Sequence, residues 1–296
     1  MLKRTIYIGT PTYLKLKDNQ LKIEDAITKE TKGSVPIEDI AFLVLDHYQI
    51  TISHQLILAL QQNNVAIFSC DESHLPLGLM LPMNGHVEHS ERLKNQINCS
   101  EPLRKQLWKQ TVEVKIFQQK TLLQKYGYLA EPMQDYLTNV KVGDSTNMEG
   151  IAAQYYWRQL FDNFTRERDG DVPNNFLNFG YAILRSIVAR ALVCSGLNPT
   201  IGIFHRNKYN PYCLADDIME PYRAYVDELV LEWINKPFRP TEMSKEAKVH
   251  LLKIATKDVK IDGLTRPLLV AVSHTTSSLY KCMIGEQRLI RYPEMS

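Results

Sequence analysis

Cysteine is sparse and poorly placed for bonding. The five residues (Cys70, Cys99, Cys194, Cys213, Cys282) are odd in number, scattered and free of any Cys-x-x-Cys pair. This argues against a disulfide framework or a thiolate zinc site and leaves them as small apolar residues. No uninterrupted apolar run reaches the roughly 18 residues a membrane helix needs. The best stretch, Tyr181 to Cys194, is broken by Arg185 and Arg190 and reads as a buried helix of a water-soluble fold. The start, Met1-Leu2-Lys3-Arg4, lacks the apolar core of a signal peptide, so the expected address is cytoplasmic, with no membrane partner. Charge of one sign is also lacking: 35 basic against 33 acidic side chains give +2. No Walker loop, dinucleotide fingerprint, Gly-x-Ser-x-Gly elbow, His-Glu-x-x-His helix, internal repeat or low-complexity tract is present.

What is there is an ordinary globular composition, 44% hydrophobic and 23% charged over 296 residues, enough for one large domain or two modest ones. The small charge excess is local. Residues 1–100 hold 9 basic and 11 acidic groups, residues 101–130 hold 6 and 2, and residues 131–296 balance.

The hydrophobic period changes along the chain. Thr5 to Ile8 is β-rich, and 13–17 and 21–23 alternate around Asp18-Asn19-Gln20, a hairpin signal. Residues 40–45, 65–68 and 77–81 are short apolar runs of strand length, and Ser53 is placed to cap a helix carrying Leu56 and Leu60. From Pro82 to Ser100, through Asn84-Gly85-His86, the pattern lapses and predicts a linker. Beyond it the spacing predicts helices: from Pro102 through Tyr126, from Met148 past Leu160 with Asp144 and Ser145 as caps, Asn175 to Ser195, and from Pro211 past Trp233 with a bend at Pro221. Two more are expected over 243–257 and 265–283. The predicted class is α+β. A small β-rich, sandwich-like domain with one helix (1–82) leads through a linker (83–100) to a larger all-α domain (101–296) that holds the candidate metal site.

The chemistry-bearing residues are scattered. Glu149 sits in a first helical turn beside the small residues Gly150, Ala152 and Ala153, His205 follows Phe204 on a short apolar stretch, and Asp217 and Glu220 lie three apart on one helix face. One imidazole with two or three carboxylates suits Mg²⁺ or Mn²⁺. Each has a plainer reading: helix-dipole preference for Glu149, a hydrogen-bonded core histidine, a solvated acidic face. Spacing alone leaves both open. His86-Val-Glu88-His89-Ser-Glu91 has four potential ligands but no apolar frame, and reads as a solvated loop. The basic helix over 101–130 is either a plain charged face or a phosphate-tracking surface. In the second case Arg104, Lys105, Lys109, Lys115, Lys120 and Lys125, with Arg223, Lys245 and Lys248 further on, are the candidate phosphate contacts.

Four strings in order carry a resemblance: Met148-Glu-Gly-Ile-Ala-Ala-Gln-Tyr-Tyr-Trp157, Asn178-Phe-Gly-Tyr-Ala-Ile-Leu184, the isolated His205, and Leu214-Ala-Asp-Asp-Ile-Met-Glu-Pro-Tyr-Arg223. Together they resemble the CRISPR-associated integrase and endonuclease, the larger of the two universal spacer-acquisition proteins. The match runs over essentially the whole chain and is most similar to the versions of type II systems. The resemblance implies a β-rich domain followed by a helical domain with a Mg²⁺ or Mn²⁺ site on Glu149, His205 and Glu220. It adds Asp217 as a secondary acid, with Asp216 beside it as the alternative. It implies joining of 3′-hydroxyl ends of captured DNA to the CRISPR repeat by transesterification, with nuclease activity at the same centre. The implied partners are DNA, a second copy in a homodimer, a small second adaptation protein bridging two dimers, the RNA-guided effector nuclease and a ring-shaped accessory protein. Two other classes share the same residues: a metal-dependent phosphodiesterase without strand transfer, and a catalytically inert nucleic-acid-binding scaffold.

Overall fold

A computed structural model describes residues 3–72, 74, 76–83, 85–167, 170–237 and 241–295. Met1 and Leu2 of the expected leaderless start, and Asn84 of the expected linker, lie outside the described residues. The chain forms two compact units, Met1–Gly85 and His86–Ser296.

The first unit contains β1 (Arg4–Ile8), β2 (Thr12–Lys17), β3 (Gln20–Asp25), β4 (Thr31–Pro36), β5 (Ile40–Leu45), β6 (Ile50–Ile52), α1 (His54–Gln62), β7 (Ala66–Cys70) and β8 (Pro76–Met80). They make two four-stranded sheets, ordered β1-β5-β7-β8 and β4-β3-β2-β6. The β2–β3 turn is built by Asp18 and Asn19, both with positive φ (52° and 56°), so Lys17 pairs with Gln20 in a two-residue hairpin. Leu14 and Leu21 from one sheet and Ile8, Ile40 and Leu43 from the other share a core with Leu56 and Leu60 of α1. Burying each such leucine stabilises by about 1.5–3 kcal/mol. Ser53 caps α1, its hydroxyl accepting the Leu56 N–H at 3.3 Å.

The second unit runs α2 (His89–Asn98), α3 (Glu101–Lys125), α4 (Pro132–Thr138), α5 (Met148–Leu160), α6 (Asn174–Cys194), α7 (Cys213–Met219), α8 (Arg223–Ile234), α9 (Lys245–Leu252), β9 (Asp258–Ile261), β10 (Leu264–Pro267) and α10 (Leu268–Met283). Helix α6, apolar nearly all round, is the hub, packed against α7, α8, α9 and α10. Gly180 allows the α6–α8 contact, since a Cβ there would collide with Val226 Cγ1. A 3₁₀ turn over Glu220–Tyr222 separates α7 from α8. Pro221 accounts for the break, because it has no N–H to continue the helix.

Four expectations need correction. Most of the segment expected as a linker is helix: α2 belongs to the second unit, and its Gln96, 1% exposed, donates to the carbonyls of Asn198 and Ile201 (both 2.9 Å) and accepts the Asn198 N–H at 2.8 Å. Polar residues whose pattern suggests solvent satisfy buried backbone instead. Nor is the second unit all-α, since β9 and β10 form a hairpin turned by Asp262 and Gly263 (φ 53° and 74°). The helix expected over 265–283 therefore begins only at Leu268, and the one over 243–257 ends at Leu252 with a 3₁₀ turn after it.

Candidate metal centre

Helix α3 passes beside the turn at 142–144, α5, α7 and the 220–222 turn, and so reaches the segments that bear the candidate carboxylates. Glu149 is placed by the start of α5. Asn147 adopts the left-handed region (φ 54°), and the Asp144 carboxylate accepts the N–H groups of Met148 (2.8 Å) and Glu149 (3.0 Å). The cap position is thus Asn147 and not Asp144 or Ser145 as expected, but the Asp144 carboxylate, one turn earlier, still accepts the free N–H groups of the α5 turn that carries Glu149.

There the Lys115 ammonium meets two carboxylates at once, Glu149 Oε1 at 2.7 Å and Glu220 Oε2 at 2.6 Å. Glu220 Oε1 accepts from Arg223 Nε at 2.9 Å, and the Arg223 guanidinium lies 4.5 Å from the centre of the Tyr181 ring. The result is a row of alternating charge, Glu149, Lys115, Glu220, Arg223, whose two inner side chains are 10% and 6% exposed. Burial alone would favour the neutral form of Glu220, but Arg223 and Lys115 outweigh it and hold the carboxyl down at about 2. Burial likewise disfavours the Lys115 cation, and Glu220 and Glu149 more than compensate, so its pKa lies above the ordinary lysine value.

His205 is positioned by Asp217, which is completely buried. One Asp217 oxygen accepts the N–H groups of Ile203 (2.7 Å) and Phe204 (3.0 Å), while the other takes the His205 N–H (3.1 Å) and the ring Nδ1 (2.6 Å). Gly202 permits this close wrap, as a Cβ there would strike the His205 carbonyl and come within 2.8 Å of Asp217 Oδ2. Trp108, two turns before Lys115 on α3, stacks on Phe204 (centroids 4.2 Å) and meets the His205 ring edge-on (5.7 Å). The Asp217 hydrogen bond raises the His205 pKa against the opposing effect of burial, and the charges of Asp217, Glu220 and Glu149 add to the rise. Asp216 points elsewhere, pairing with Arg185 (2.6 Å) and Asn210 (2.7 Å).

The structure therefore joins Glu149 and Glu220 through one cation and holds His205 within their electrostatic reach on Asp217. Among the described residues no group of three or more His, Cys, Asp or Glu is already gathered at metal-binding distance. One observation nevertheless fits a divalent cation: two carboxylates from different elements already converge on a single cationic atom, at 2.7 Å and 2.6 Å.

Lys115 is the member of this buried cluster that sequence patterning does not single out. Its place in the basic stretch 101–130 suggests an exposed side chain, yet it lies on the α3 face that carries Trp108 and Ile116, both buried. The expected DNA contacts divide. Arg104 binds the carbonyls of Gln96 (3.1 Å) and Ile97 (3.0 Å) at the end of α2, Arg223 is committed to Glu220, and Lys248 is buried at 3% exposure. Lys248 therefore does not present the open phosphate contact expected of it, whereas Arg104 and Arg223 remain partly exposed. Lys105 and Lys109 make surface pairs with Glu101 (3.1 Å) and Glu113 (3.5 Å), and Lys245 is exposed. His86 to Glu91 leads into α2, with Glu88 on Arg92 at 2.9 Å.

Behind the site, Asp227 is buried and accepts hydroxyl bonds from Tyr156 (2.8 Å) and Tyr181. Burial pushes its carboxyl up to about 6, despite the two tyrosines. A carboxyl raised by folding contributes stability that is fully present below its unfolded pKa and lost as pH rises through the folded one. Urea melts of Asp227→Asn and wild type from pH 4 to pH 7 are expected to show the variant gaining about 2–3 kcal/mol on wild type across that interval. A difference that stays constant with pH would contradict the assignment.

A strand-rich unit followed by a helical unit is the architecture of solved casposase and CAS1 proteins. A casposase bound to integration product superposes with a TM-score of 0.80 at 19% identity, over 98% of this chain and 92% of the other. A CAS1 protein from Thermotoga maritima gives 0.76 at 19% identity, over 96% and 98%. At these identities the likeness establishes the fold alone. Sequence goes further. The profile of the family described as CRISPR associated protein Cas1 matches residues 6–260. A CRISPR-associated endonuclease Cas1 of Neisseria meningitidis serogroup C (strain 8013) is 34% identical over 281 residues, 94% of this chain and 91% of its own length. The chain belongs to the CRISPR associated protein Cas1 family.

Proposed function

We propose that the protein is a metal-dependent DNA integrase and endonuclease of CRISPR adaptation, acting in the cytoplasm. It joins 3′-hydroxyl ends of captured DNA to the CRISPR repeat. The observation that carries this reading is the pair of carboxylates, Glu149 and Glu220, flanking one cation position beside an imidazole fixed by Asp217, in a chain of this family. Two relatives support it. The Neisseria protein is named an endonuclease, and the casposase is bound to integration product, which speak for nuclease and strand-joining chemistry respectively.

Glu149, Glu220 and His205 would hold the Mg²⁺ or Mn²⁺ ion, which when bound supplies charge neutralisation at the phosphate oxygens and a lowered pKa for the attacking hydroxyl. The bond formed joins the donor 3′-oxygen to the phosphorus at the edge of the repeat, and the bond broken runs from that phosphorus to the 3′-oxygen of the flanking nucleotide, which leaves as a 3′-hydroxyl while the donor hydroxyl gives up its proton. The residues do the positioning. Asp217 engages Nδ1 of His205, which leaves Nε2 as the ring nitrogen available to a ligand. The Phe204–Trp108 stack limits the orientations the imidazole can adopt. Arg223 holds Glu220 ionised and fixes its second oxygen. Water in place of the DNA hydroxyl turns the same centre to hydrolysis.

DNA is the proposed polyanion, with Arg104, Lys105, Lys109 and Lys245 as candidates for backbone contacts that position rather than read sequence. Solved Cas6-RT-Cas1–Cas2 complexes share the fold, and they support partnership with the second adaptation protein. The homodimer and a type II setting, with the effector nuclease and ring-shaped accessory protein, rest on the sequence motifs.

The test is incubation of the protein and Mn²⁺ with a 3′-hydroxyl donor duplex and a supercoiled plasmid bearing a repeat. Joined donor–plasmid product is expected with wild type. Glu149→Ala is expected to lose it by at least about a thousandfold while retaining DNA binding in a gel-shift assay. Nicked plasmid without joined product would establish a simple phosphodiesterase instead, and joining by Glu149→Ala would remove Glu149 from the site.

A further inference from the structure

We propose that Lys115 is a resident counter-ion: its ammonium holds the cation position between Glu149 and Glu220, and a divalent metal is gripped only when that ammonium withdraws. Lys115 thereby sets the metal affinity of the centre. This regulatory role rests on the metal-site reading above.

Contacts of 2.7 Å and 2.6 Å from one nitrogen to oxygens of two separate carboxylates place the ammonium between them, where an ion bridging the pair would have to sit. Charge leads to the same place. Glu149 and Glu220 are balanced by Lys115 and Arg223, so the buried row is neutral as it stands. A divalent ion added without displacement would put three positive groups around two negative ones and force cations against each other in a site largely withdrawn from water. With Lys115 withdrawn, the ion, Arg223 and the two carboxylates leave one net positive charge, which suits a phosphodiester.

The lysine is also the part able to move. Helix α3 itself is tied down on both sides of Lys115. Gln110 donates to the Arg288 carbonyl (2.9 Å) and accepts the Ile290 N–H (2.9 Å), while Gln118 donates to the Pro293 carbonyl (2.5 Å) and accepts the Met295 N–H (2.8 Å). The backbone is therefore the fixed part and the four-carbon lysine stem the movable one. Neutrality without a metal also explains how two neighbouring carboxylates, one of them deeply buried, coexist before metal arrives, because such groups are almost never fully buried unless paired.

The experiment is calorimetric titration of Mn²⁺ into the full chain as wild type, Lys115→Met, Lys115→Arg and Glu149→Ala. It is coupled to amine-reactive labelling of wild type with and without Mn²⁺, read at Lys115 by mass spectrometry. Removing a competing cation is expected to tighten Mn²⁺ binding in Lys115→Met by about tenfold or more, while Lys115→Arg, which keeps the charge, stays at wild-type affinity or weaker. Labelling of Lys115 is expected to rise severalfold on Mn²⁺ addition and to stay low in Glu149→Ala. Binding that needs Glu149 but is no tighter in Lys115→Met overturns the lysine's role and leaves the metal site standing. Binding that survives Glu149→Ala overturns the metal-site reading and this proposal together. Should Lys115→Met fail to fold, the labelling decides alone: Mn²⁺-independent reactivity at Lys115 refutes the exchange.

Discussion

Glu220→Ala is expected to abolish strand joining and to unfold the helical unit at a temperature roughly 10 °C lower, whereas Glu149→Ala abolishes joining at nearly wild-type stability. The difference comes from what each deletion strands. Glu220 is 6% exposed in its side chain and bonded to both Lys115 (2.6 Å) and Arg223 (2.9 Å), so its loss leaves two cations in a buried neighbourhood with one carboxylate beside them. Breaking a buried pair in this way costs about 3–5 kcal/mol. Glu149 is 20% exposed, and its removal leaves Lys115 still paired to Glu220. Glu220→Gln, which retains the shape and one acceptor, should recover part of the stability and none of the joining. The readings are product on a denaturing gel and the calorimetric melting temperature. If Glu220→Ala melts with wild type, the charge row does not carry the stability assigned to it.

Asp217→Ala is expected to reduce joining by about 10- to 100-fold or more through loss of metal affinity, although Asp217 touches no substrate. The motif strings imply a secondary metal acid at this position. In the structure its two oxygens are consumed by the N–H groups of Ile203, Phe204 and His205 and by the His205 ring. Deletion leaves three backbone donors without that acceptor, at about 1–3 kcal/mol for each that stays buried, and frees the imidazole to rotate. Asp217→Asn is the discriminating variant: its amide can accept some of these bonds but must turn an N–H toward donors, so an intermediate defect is expected. Mn²⁺ calorimetry and the joining assay check both variants. Full activity in Asp217→Ala would show that the 203–205 loop holds without its carboxylate.

The legibility of the fold follows the strength of local chemistry. Asp18-Asn19 announces a hairpin because few residues adopt positive φ readily, and Ser53 announces α1 because a hydroxyl there accepts a free helix N–H. The α6 core helix is visible because a long apolar stretch with two arginines has few other uses. Helix α2 is hidden because it is packed through polar groups, Gln96 above all, and hydrophobic period is blind to a buried amide. The β9–β10 hairpin does carry an Asp-Gly signal at 262–263, but its four-residue strands are too short to interrupt a helical pattern on either side. At the site, the motif strings pick out Glu149, His205 and Glu220 without revealing what lies between the two carboxylates. Lys115 escapes because a lysine's burial depends on which carboxylates other helices bring to it, and those lie 34 and 105 positions away along the chain.

The position of Gln96 has a practical corollary. Composition suggests cutting the polypeptide near residue 100 to isolate the helical half, since helical patterning begins there. A fragment so trimmed would forfeit the amide that fastens Asn198 and Ile201, the approach to Phe204 and His205. It could keep every proposed ligand and still present a wandering imidazole, so an inactive 101–296 fragment would say nothing against the chemistry, and minimal versions of this enzyme half should start at His86 or earlier.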